Sequence, residues 1–346
     1  MFLLVAALMS TAMSFGQNTL VATLNHEDNV TMFYGIGAFQ SAHNAAESGD
    51  VITLSGGSFT GFSITKAVTV RGTGIDVNFP TRVSSRMEIN IPENDTGRFS
   101  VEGVRFDNTV SLYGSFSNPY FLKCQLSNVT FEYGSSKYSS ITNALFINCK
   151  ITQSILLGGS TTASFSHCYV NDCKLPENQN SEAQFVNCVL FGDFENYHRS
   201  TFVNCILTYY KQSTACFFPA DALAMNCVAI YYGDYGYSDT RGYKYNMYDK
   251  MQGNQISCAA ATFEEVFKDF RPNKSYGVYS DSQTFELTEE AKTRFSGSDG
   301  TEVGLYGGAN PYNSTPAYPR ITKFNVAKQS TADDKLSVEI EVSAAE

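Results

Sequence analysis

The chain has 346 residues, of which only 17% are charged, and 34 acidic against 24 basic residues give it a net charge of −10. This acidic balance argues against a nucleic-acid partner, which normally requires a basic face. Tryptophan is absent, yet 26 Phe and 21 Tyr supply enough apolar surface to fill a large core. Low charge together with many aromatic and small polar residues suits a β-rich protein and argues against disorder.

The N-terminus has the layout of a cleaved secretory signal. Residues 1–16 carry no charge, and the apolar run at 2–9 is too short to cross a bilayer as a helix. Ser14 and Gly16 place small residues where a signal peptidase reads, although a buried N-terminal strand is the alternative. We therefore expect export to the periplasm, the cell surface or the extracellular space, with no transmembrane segment. A lipoprotein is not expected, because no Cys precedes Cys124.

A six-residue motif recurs through the middle of the chain. Five copies carry Phe first and Cys fourth, and they span residues 121–126, 146–151, 165–170, 185–190 and 202–207. Degenerate copies at 101–106 and 224–229 flank them, with a mean spacing of roughly 20.5 residues, which is a solenoid period. A leucine-rich repeat has a similar period but needs Leu at fixed positions and a helical side. The short β-forming segments between the motifs instead predict a right-handed parallel β-helix with coils about 4.8 Å apart.

Each position of the motif predicts one column of the β-helix. The first position predicts an internal aromatic stack, formed by Phe121, Phe146, Phe165, Phe185 and Phe202. Asn precedes Cys in four copies, at Asn148, Asn187, Asn204 and Asn226. Asn tolerates the left-handed backbone of a sharp corner, and its amide can bond along a ladder of like residues. The Cys column is then buried behind the corner.

The nine cysteines are odd in number, so at least one is unpaired in an exported chain. Stacked cysteines have parallel Cβ directions, which is poor geometry for a disulfide. We therefore predict buried thiols, with Cys168 and Cys173 as the one local pair that could close.

The region before the repeat consists of short elements in a recognisable order. They are an amphipathic helix from Ala38, a Gly49-Asp50 turn, a strand at 51–54, a turn at 57–59, a turn containing Lys66 and a strand at 68–72. This order resembles the opening of the pectate-lyase-like β-helix superfamily, and with the repeat the resemblance covers roughly residues 34–230. It implies an all-β fold, a right-handed parallel β-helix solenoid with a short capping helix.

The sequence after the repeat changes character. A capping box at Thr262 predicts a short helix through about Phe270, and Thr288 begins another. Residues 298–308 resemble the closing segment of many bacterial secreted β-helix proteins and are expected to lie along the last coils. Alternating residues at 321–326 and 335–342 predict a C-terminal β-hairpin.

These patterns together predict three parts of the chain. They are a signal peptide at 1–16, a β-helix with its N-terminal cap and closing segment at 17–308, and a linker with the hairpin at 309–346. The overall arrangement resembles secreted proteins of gut-type Bacteroidetes, a likeness to which no activity is attached.

The catalytic segments of related enzymes do not occur in the sequence, neither the Gly-His-Gly and Arg-Ile-Lys of polygalacturonase-like members nor the Asp-Pro-His of epimerase-like members. One acidic set falls on adjacent predicted coils, and its members are Asp172, Asp193, Glu195 and Lys211. Carboxylates beside a cation could bind Ca²⁺ or act as acid and base, which is the site of an alternative polysaccharide lyase or glycoside hydrolase. The competing interpretation is a solvated turn face.

A cluster of tyrosines is the other candidate site. Tyr rings stack on sugars and their hydroxyls bond to them at low entropic cost. The residues are Tyr209, Tyr210, Tyr231, Tyr232, Tyr235, Tyr237, Tyr243, Tyr245 and Tyr248. The alternative is that they cover the outer wall of the last coils.

We therefore predict an exported β-helix that binds a polysaccharide or a cell-surface protein without catalysis. No metal and no cofactor are expected, and Ca²⁺ enters only under the enzyme interpretation. A purely structural stalk is the third hypothesis.

Overall fold

The computed structural model describes residues 20–131, 139–174, 180–191, 199–209, 222–231, 243–244, 247–248, 259–260, 263–269, 283–313, 320–326 and 338–343. Within these residues the protein forms strands β1–β30, numbered in chain order, and three helices. The predicted signal peptide at 1–16 lies outside the described residues. No helix in the described part of the chain is long and apolar enough to span a membrane.

Most strands belong to two long sheets. Sheet A has 12 strands. In chain order they are β1 (Val21–His26), β2 (Asn29–Tyr34), β3 (Val51–Leu54), β6 (Thr69–Arg71), β9 (Ser100–Glu102), β12 (Tyr120–Leu122), β15 (Ala144–Ile147), β17 (Thr162–Ser166), β20 (Glu182–Val186), β22 (Ser200–Val203), β24 (Leu223–Met225) and β26 (Tyr243–Lys244).

Sheet B has 14 strands. They are β4 (Gly57–Phe59), β5 (Ser63–Ile64), β7 (Thr81–Val83), β8 (Met87–Ile89), β10 (Val104–Leu112), β13 (Gln125–Phe131), β16 (Lys150–Leu156), β18 (Tyr169–Val170), β19 (Cys173–Lys174), β21 (Val189–Phe191), β23 (Ile206–Tyr209), β25 (Val228–Tyr231), β27 (Met247–Tyr248) and β28 (Ala259–Ala260). Two pairs complete the fold: parallel β11 (Gly114–Ser117) with β14 (Ser139–Thr142), and antiparallel β29 (Arg320–Val326) with β30 (Val338–Ser343).

The chain alternates between the two sheets, and from β3 onward each strand pairs in parallel with its counterpart one coil away. This topology confirms the predicted all-β parallel β-helix. The C-terminal β-hairpin is also confirmed by the β29–β30 pair. The coils continue beyond residues 34–230, the part of the chain that the resemblance covers, since β26 pairs with β24 and β27 pairs with β25.

The N-terminal end is capped by helix α1 (Ala38–Ala45), as predicted. Its apolar face buries Phe39 and Ala42 against the first coil. The Lys66 ammonium caps the C-terminus of this helix, because its Nζ donates to the carbonyl oxygens of His43, Asn44 and Ala46 at 3.0, 2.9 and 2.6 Å. The Lys66 turn therefore fastens the cap to the first coil.

Two local predictions were wrong. The segment Gly57–Phe59 is strand β4 rather than a turn, because it pairs in parallel with β7 and buries Phe59. Helix α2 (Phe263–Val266) ends well before Phe270, because Phe267 leaves the helix to form a β-bridge with Leu287.

The predicted phenylalanine column is confirmed. Phe121, Phe146, Phe165, Phe185 and Phe202 lie in register, and none is more than 1% exposed. Neighbouring rings stack with centroids 4.7–5.1 Å apart and planes within 11° of parallel. The spacing equals the coil rise, so one residue type repeated at one position fills the core continuously.

The corner before each cysteine adopts a left-handed backbone, as the motif predicts. All seven corner residues have positive φ, between 49° and 66°, and they are Gly103, Lys123, Asn148, His167, Asn187, Asn204 and Asn226. Asn holds four of these positions because its short polar side chain tolerates this region. The turn from sheet A into sheet B is thus encoded once per coil.

The seven described cysteines are buried, and no disulfide joins any of them. In the corner column each Sγ lies 3.2–3.6 Å from the carbonyl oxygen of a core-column residue in the preceding coil, as Cys149 does with Phe121. Burial raises the pKa of the Cys124 and Cys149 thiols, so they remain protonated. The prediction of buried thiols is confirmed for these residues.

The C-terminal cover (residues 263–269 and 283–313) packs on the outer face of sheet B. Helix α3 (Glu289–Arg294) begins at Thr288, whose hydroxyl accepts from the Ala291 amide at 3.1 Å, as predicted. Apolar side chains of the cover form a second core with outward residues of the last coils. The members are Tyr169, Val189, Phe191, Ile206, Val228, Val266, Phe267, Phe285, Leu287, Ala291, Phe295, Val303 and Leu305.

The closing segment (residues 298–308) and residues 309–310, which follow it, cross successive corners of the solenoid. The Asn226 side-chain oxygen accepts from the Ser298 amide at 2.8 Å, and the Asn187 amide donates to the Leu305 and Gly307 carbonyls at 2.9 Å each. Asn187 and Asn226 therefore do not form the expected ladder of side-chain hydrogen bonds between coils, because their amides bond to the closing segment instead. The predicted position of this segment along the last coils is confirmed.

Candidate functional site

Only four of the nine predicted ligand-binding tyrosines are described, and only in their backbone. Tyr209 and Tyr231 end β23 and β25 and lie in register, and Tyr243 begins β26 opposite Ala224. Tyr248 likewise ends β27. The rest of the cluster, Tyr210, Tyr232, Tyr235, Tyr237 and Tyr245, lies outside the described residues. A sugar-binding role for the cluster therefore stays a prediction.

The predicted acidic site is described at one residue only. Asp172 forms an ion pair with Lys174, two residues on, with 3.2 Å between Oδ2 and Nζ. The other members, Asp193, Glu195 and Lys211, lie outside the described residues. The one described member, Asp172, therefore belongs to a local ion pair on the surface.

The β11–β14 pair forms a short third side of the solenoid, between sheet B and sheet A. The described surface contains a groove on this third side, with a volume of about 860 Å³. One wall is the loop at residues 92–98, which connects sheet B of the second coil to sheet A of the third. The opposite wall is the β11–β14 pair. Ligand sites typically occupy 300–1,000 Å³, so a few sugar units or a short peptide would fit.

The groove exists because the third wall of the solenoid is incomplete there. Strand β11 pairs with β14 on one edge only, so its other edge faces the loop. Phe116 lies in register with the fully buried Ile141 but is itself only partly buried. Phe116, which packs against the main core, supplies the apolar floor of the groove, and Ser115, Ser117 and Asn118 add polar groups to the lining.

A stacked cation lies at one end of the groove. The Arg98 guanidinium carbon is 4.3 Å from the centroid of the Tyr120 ring. At this distance the guanidinium makes a cation–π contact with the ring, which restrains the position of its N–H donors. Arg98 forms no ion pair with any described residue, so its donors remain available to a bound molecule.

The loop wall is held rigidly by Asp95. Its carboxylate accepts from the Ala67 amide at 3.0 Å, from the Gly97 amide at 2.9 Å and from the Ser48 hydroxyl. Although partial desolvation opposes it, hydrogen bonding to Ser48 and to the two amides lowers the pKa of Asp95. A Cβ at Gly97 would lie 2.3 Å from Ser48 Oγ, so only glycine fits this close approach.

The groove could not be found from the sequence by motif. Its lining comes from the segments 91–99, 115–118 and 140–145, each with an ordinary composition. The available signal was indirect, since residues 92–98 replace a β-forming segment with Pro, Gly and charged residues. That composition marks an interruption of the wall, but it does not show that an aromatic floor lies beneath.

Comparisons with protein-family models, with curated proteins and with solved structures find no match for this chain. Within the described residues, no cluster of three or more His, Cys, Asp or Glu side chains is placed to hold a metal ion.

Proposed function

We propose that this protein is an exported β-helix that binds a carbohydrate in the groove of the third wall without cleaving it. The observation that carries the proposal is the Arg98–Tyr120 stack beside the Phe116 floor and the hydroxyl-rich edge of β11. Aromatic faces suit the apolar faces of sugar rings, while hydroxyls, amides and a guanidinium suit their oxygens.

The carboxylates of the groove favour binding over hydrolysis. A general acid needs a raised pKa, whereas three hydrogen bonds keep the Asp95 carboxylate ionised and structural. Glu93, the other carboxylate of the lining, is exposed to solvent. We propose further that the chain is related to the pectate-lyase-like superfamily and comes from a gut-type member of the Bacteroidetes. The β-helix and the order of elements in residues 38–72 support this relationship.

A glycan array probed with the full chain, followed by calorimetric titration of any hit, tests the proposal. We expect affinities in the micromolar to millimolar range, because few groups contribute and ordering costs are high. Arg98→Gln should weaken binding about tenfold, which corresponds to roughly 1.4 kcal/mol. Arg71→Gln, an exposed arginine of sheet A outside the groove, is the matched control and should bind as the original chain does.

The same preparation distinguishes the other functions. Incubation with acidic and neutral polysaccharides, with and without Ca²⁺, should release no unsaturated or reducing-end product. Product that disappears in Glu93→Gln or Asp193→Ala would establish an enzyme instead. Binding that survives Arg98→Gln and Phe116→Ser but is lost in Tyr235→Ala or Tyr243→Ala would place the site in the tyrosine cluster.

A further inference from the structure

Strand β2 is the last strand of sheet A at its N-terminal end, because within the described residues it pairs only with β1. The register of the pair fixes which backbone groups face the open edge. The Gly35 amide donates to the Leu20 carbonyl at 2.8 Å, so odd-numbered residues of this strand point toward β1. By the alternation of antiparallel pairs, Val30, Met32 and Tyr34 direct their N–H and C=O groups outward.

The side chains of the same three residues form an exposed apolar row. Val30 is 60% exposed, Met32 56% and Tyr34 64%, and Ile36, in the turn that follows the strand, is 66% exposed. The opposite face of the strand is used inside the protein, because Phe33 packs against the main core. Within the described residues, more than half of each side chain in the row is left exposed.

This edge lacks the usual protection against pairing. Exposed edge strands normally carry charges, prolines or bulges that prevent another strand from adding. From Asn29 to Ala46 the sequence contains no Asp, Glu, Lys, Arg or Pro, although the whole chain carries a net charge of −10. All six residues of β2 pair with β1 in continuous register, without a bulge.

We propose that the β2 edge is an interface with a second copy of this chain, paired antiparallel about a two-fold axis at Met32. The pattern is self-complementary in this arrangement. Met32 lies opposite Met32 of the partner subunit, and Val30 lies opposite Tyr34 of the partner subunit. All three residues then exchange backbone hydrogen bonds across the axis, and their side chains form one continuous apolar strip.

Charge placement agrees with this pairing. Glu27 and Asp28 form the turn between β1 and β2, and they are the acidic residues nearest to the strand. Symmetric pairing about Met32 places the Val30 end of each strand beside the Tyr34 end of the partner strand, so the acidic turns of the two copies lie at opposite ends of the strip. The strip itself therefore carries no charged side chain that would repel a second copy, although the whole chain has a net charge of −10.

The buried area is that of a weak dimer. Edge pairing covers the backbone of β2 and one flank of Val30, Met32 and Tyr34, whereas the outer faces of these side chains stay exposed, so the area removed from water lies below the ~1,000 Å² where stable interfaces begin. We therefore expect a weak, concentration-dependent association.

Sedimentation of the full chain over a concentration series tests the interface. We expect a monomer–dimer equilibrium, and Met32→Lys should raise the dissociation constant at least about tenfold by opposing two ammonium groups at the axis. Met32→Glu should do the same. An equimolar mixture of the two variants should form a heterodimer, since Lys then faces Glu across the axis. Ile340→Lys, a comparably exposed apolar position of the hairpin at 52%, is the control and should leave the equilibrium unchanged.

The charge-swap mixture makes the result specific to a symmetric β2 pair. A chain that is monomeric at every concentration would overturn the proposal, whatever else covers the edge. Association that is unchanged in Met32→Lys would overturn it too, since the contact then lies elsewhere. Failure of the Lys and Glu variants to associate with each other, while each still melts like the original chain, would exclude the two-fold register.

Discussion

The outer column of sheet B changes character halfway along the solenoid. Register aligns eight residues, one per coil: Arg82, Arg105, Gln125, Lys150, Tyr169, Val189, Ile206 and Val228. Arg82 and Arg105 are 45% and 38% exposed, whereas Ile206 and Val228 are at most 1% exposed. The change occurs where the C-terminal cover begins.

The inner columns show no such change. The phenylalanine stack and the cysteine column run through both halves with the same spacing and burial. The residue types at inward positions are therefore set by the packing of the coil itself. Those at outward positions depend on whether solvent or another segment covers the sheet. In this chain the first half of sheet B faces solvent and the second half is an internal interface.

The largest expected effect lies in the column that both halves share. Phe165→Ala removes a ring between two stacked neighbours and should lower the free energy of unfolding by about 3–5 kcal/mol. Phe79→Ala, which is 50% exposed, should cost well under ~1 kcal/mol. Urea unfolding of both variants measures the difference. Equal costs would contradict a tightly packed inner stack.

The second prediction tests the comparison directly at one register position. Ile206→Lys places an ammonium beneath the cover and should cost at least about 2 kcal/mol, since burial of the Ile side chain is lost and a charge must reach water. Gln125→Lys occupies the same column on the solvated half and should change stability by less than ~0.5 kcal/mol. Hydrogen exchange should show residues 283–313 opening in the first variant alone. A similar response to both substitutions would mean that the cover does not divide the column.

The third prediction concerns the corners. Asn187→Ala removes two hydrogen bonds to the closing segment and leaves an Ala at φ 49°, so we expect a loss of roughly 2–3 kcal/mol. Lys123→Ala is the control on the solvated half, because a residue with a Cβ already occupies the same left-handed corner. It should cost less than ~0.5 kcal/mol. Thermal melting that is equally affected by both would show that backbone strain, rather than the closing segment, determines the cost.

The smallest expected effect is a difference in how the stability of the two ends of the protein depends on pH. The hydrogen bond to Asp50 at 2.8 Å raises the pKa of His26 above its ordinary value of 6.5. Its stabilisation of the N-terminal cap is therefore complete below about pH 6.5 and is lost as pH rises through the raised value. The difference in melting temperature between the original chain and His26→Gln should be largest near pH 5–6 and vanish in alkali.

The closing segment should respond in the opposite direction. Hydrogen bonds from the Thr301 hydroxyl and amide lower the pKa of Asp299 below its ordinary value of 3.8. This contribution is present above about pH 3.8 and is lost as pH falls through the lowered value. Asp299→Asn should therefore differ from the original chain at neutral pH and converge with it in acid. Convergence in alkali instead would contradict the assignment.

The sequence predicted those features that repeat. Phe165, Cys168 and Asn187 each belong to a column, so the same requirement appears once per coil and the period becomes visible. The groove does not repeat, because Arg98 and Phe116 line a common space only where one wall is interrupted. The corner Asn residues have the predicted backbone conformation but not the predicted partners, since nothing local indicates that residues 72 to 120 positions later return to bind them.

The closing segment also has a mechanical consequence. In a stack of coils that touch only their neighbours, the terminal coil can fray without the rest. Here one peptide contacts the corners of Asn226, Asn187 and His167, the last through a 3.0 Å contact between its Nε2 and the Asn310 carbonyl. Gly308 fits over Asn204 only without a side chain, because a Cβ would lie 2.0 Å from the amide nitrogen. Because one segment binds several coils at once, these coils should unfold in one cooperative step. Inserting or deleting a coil between the corners would move them out of register with their partners in the segment.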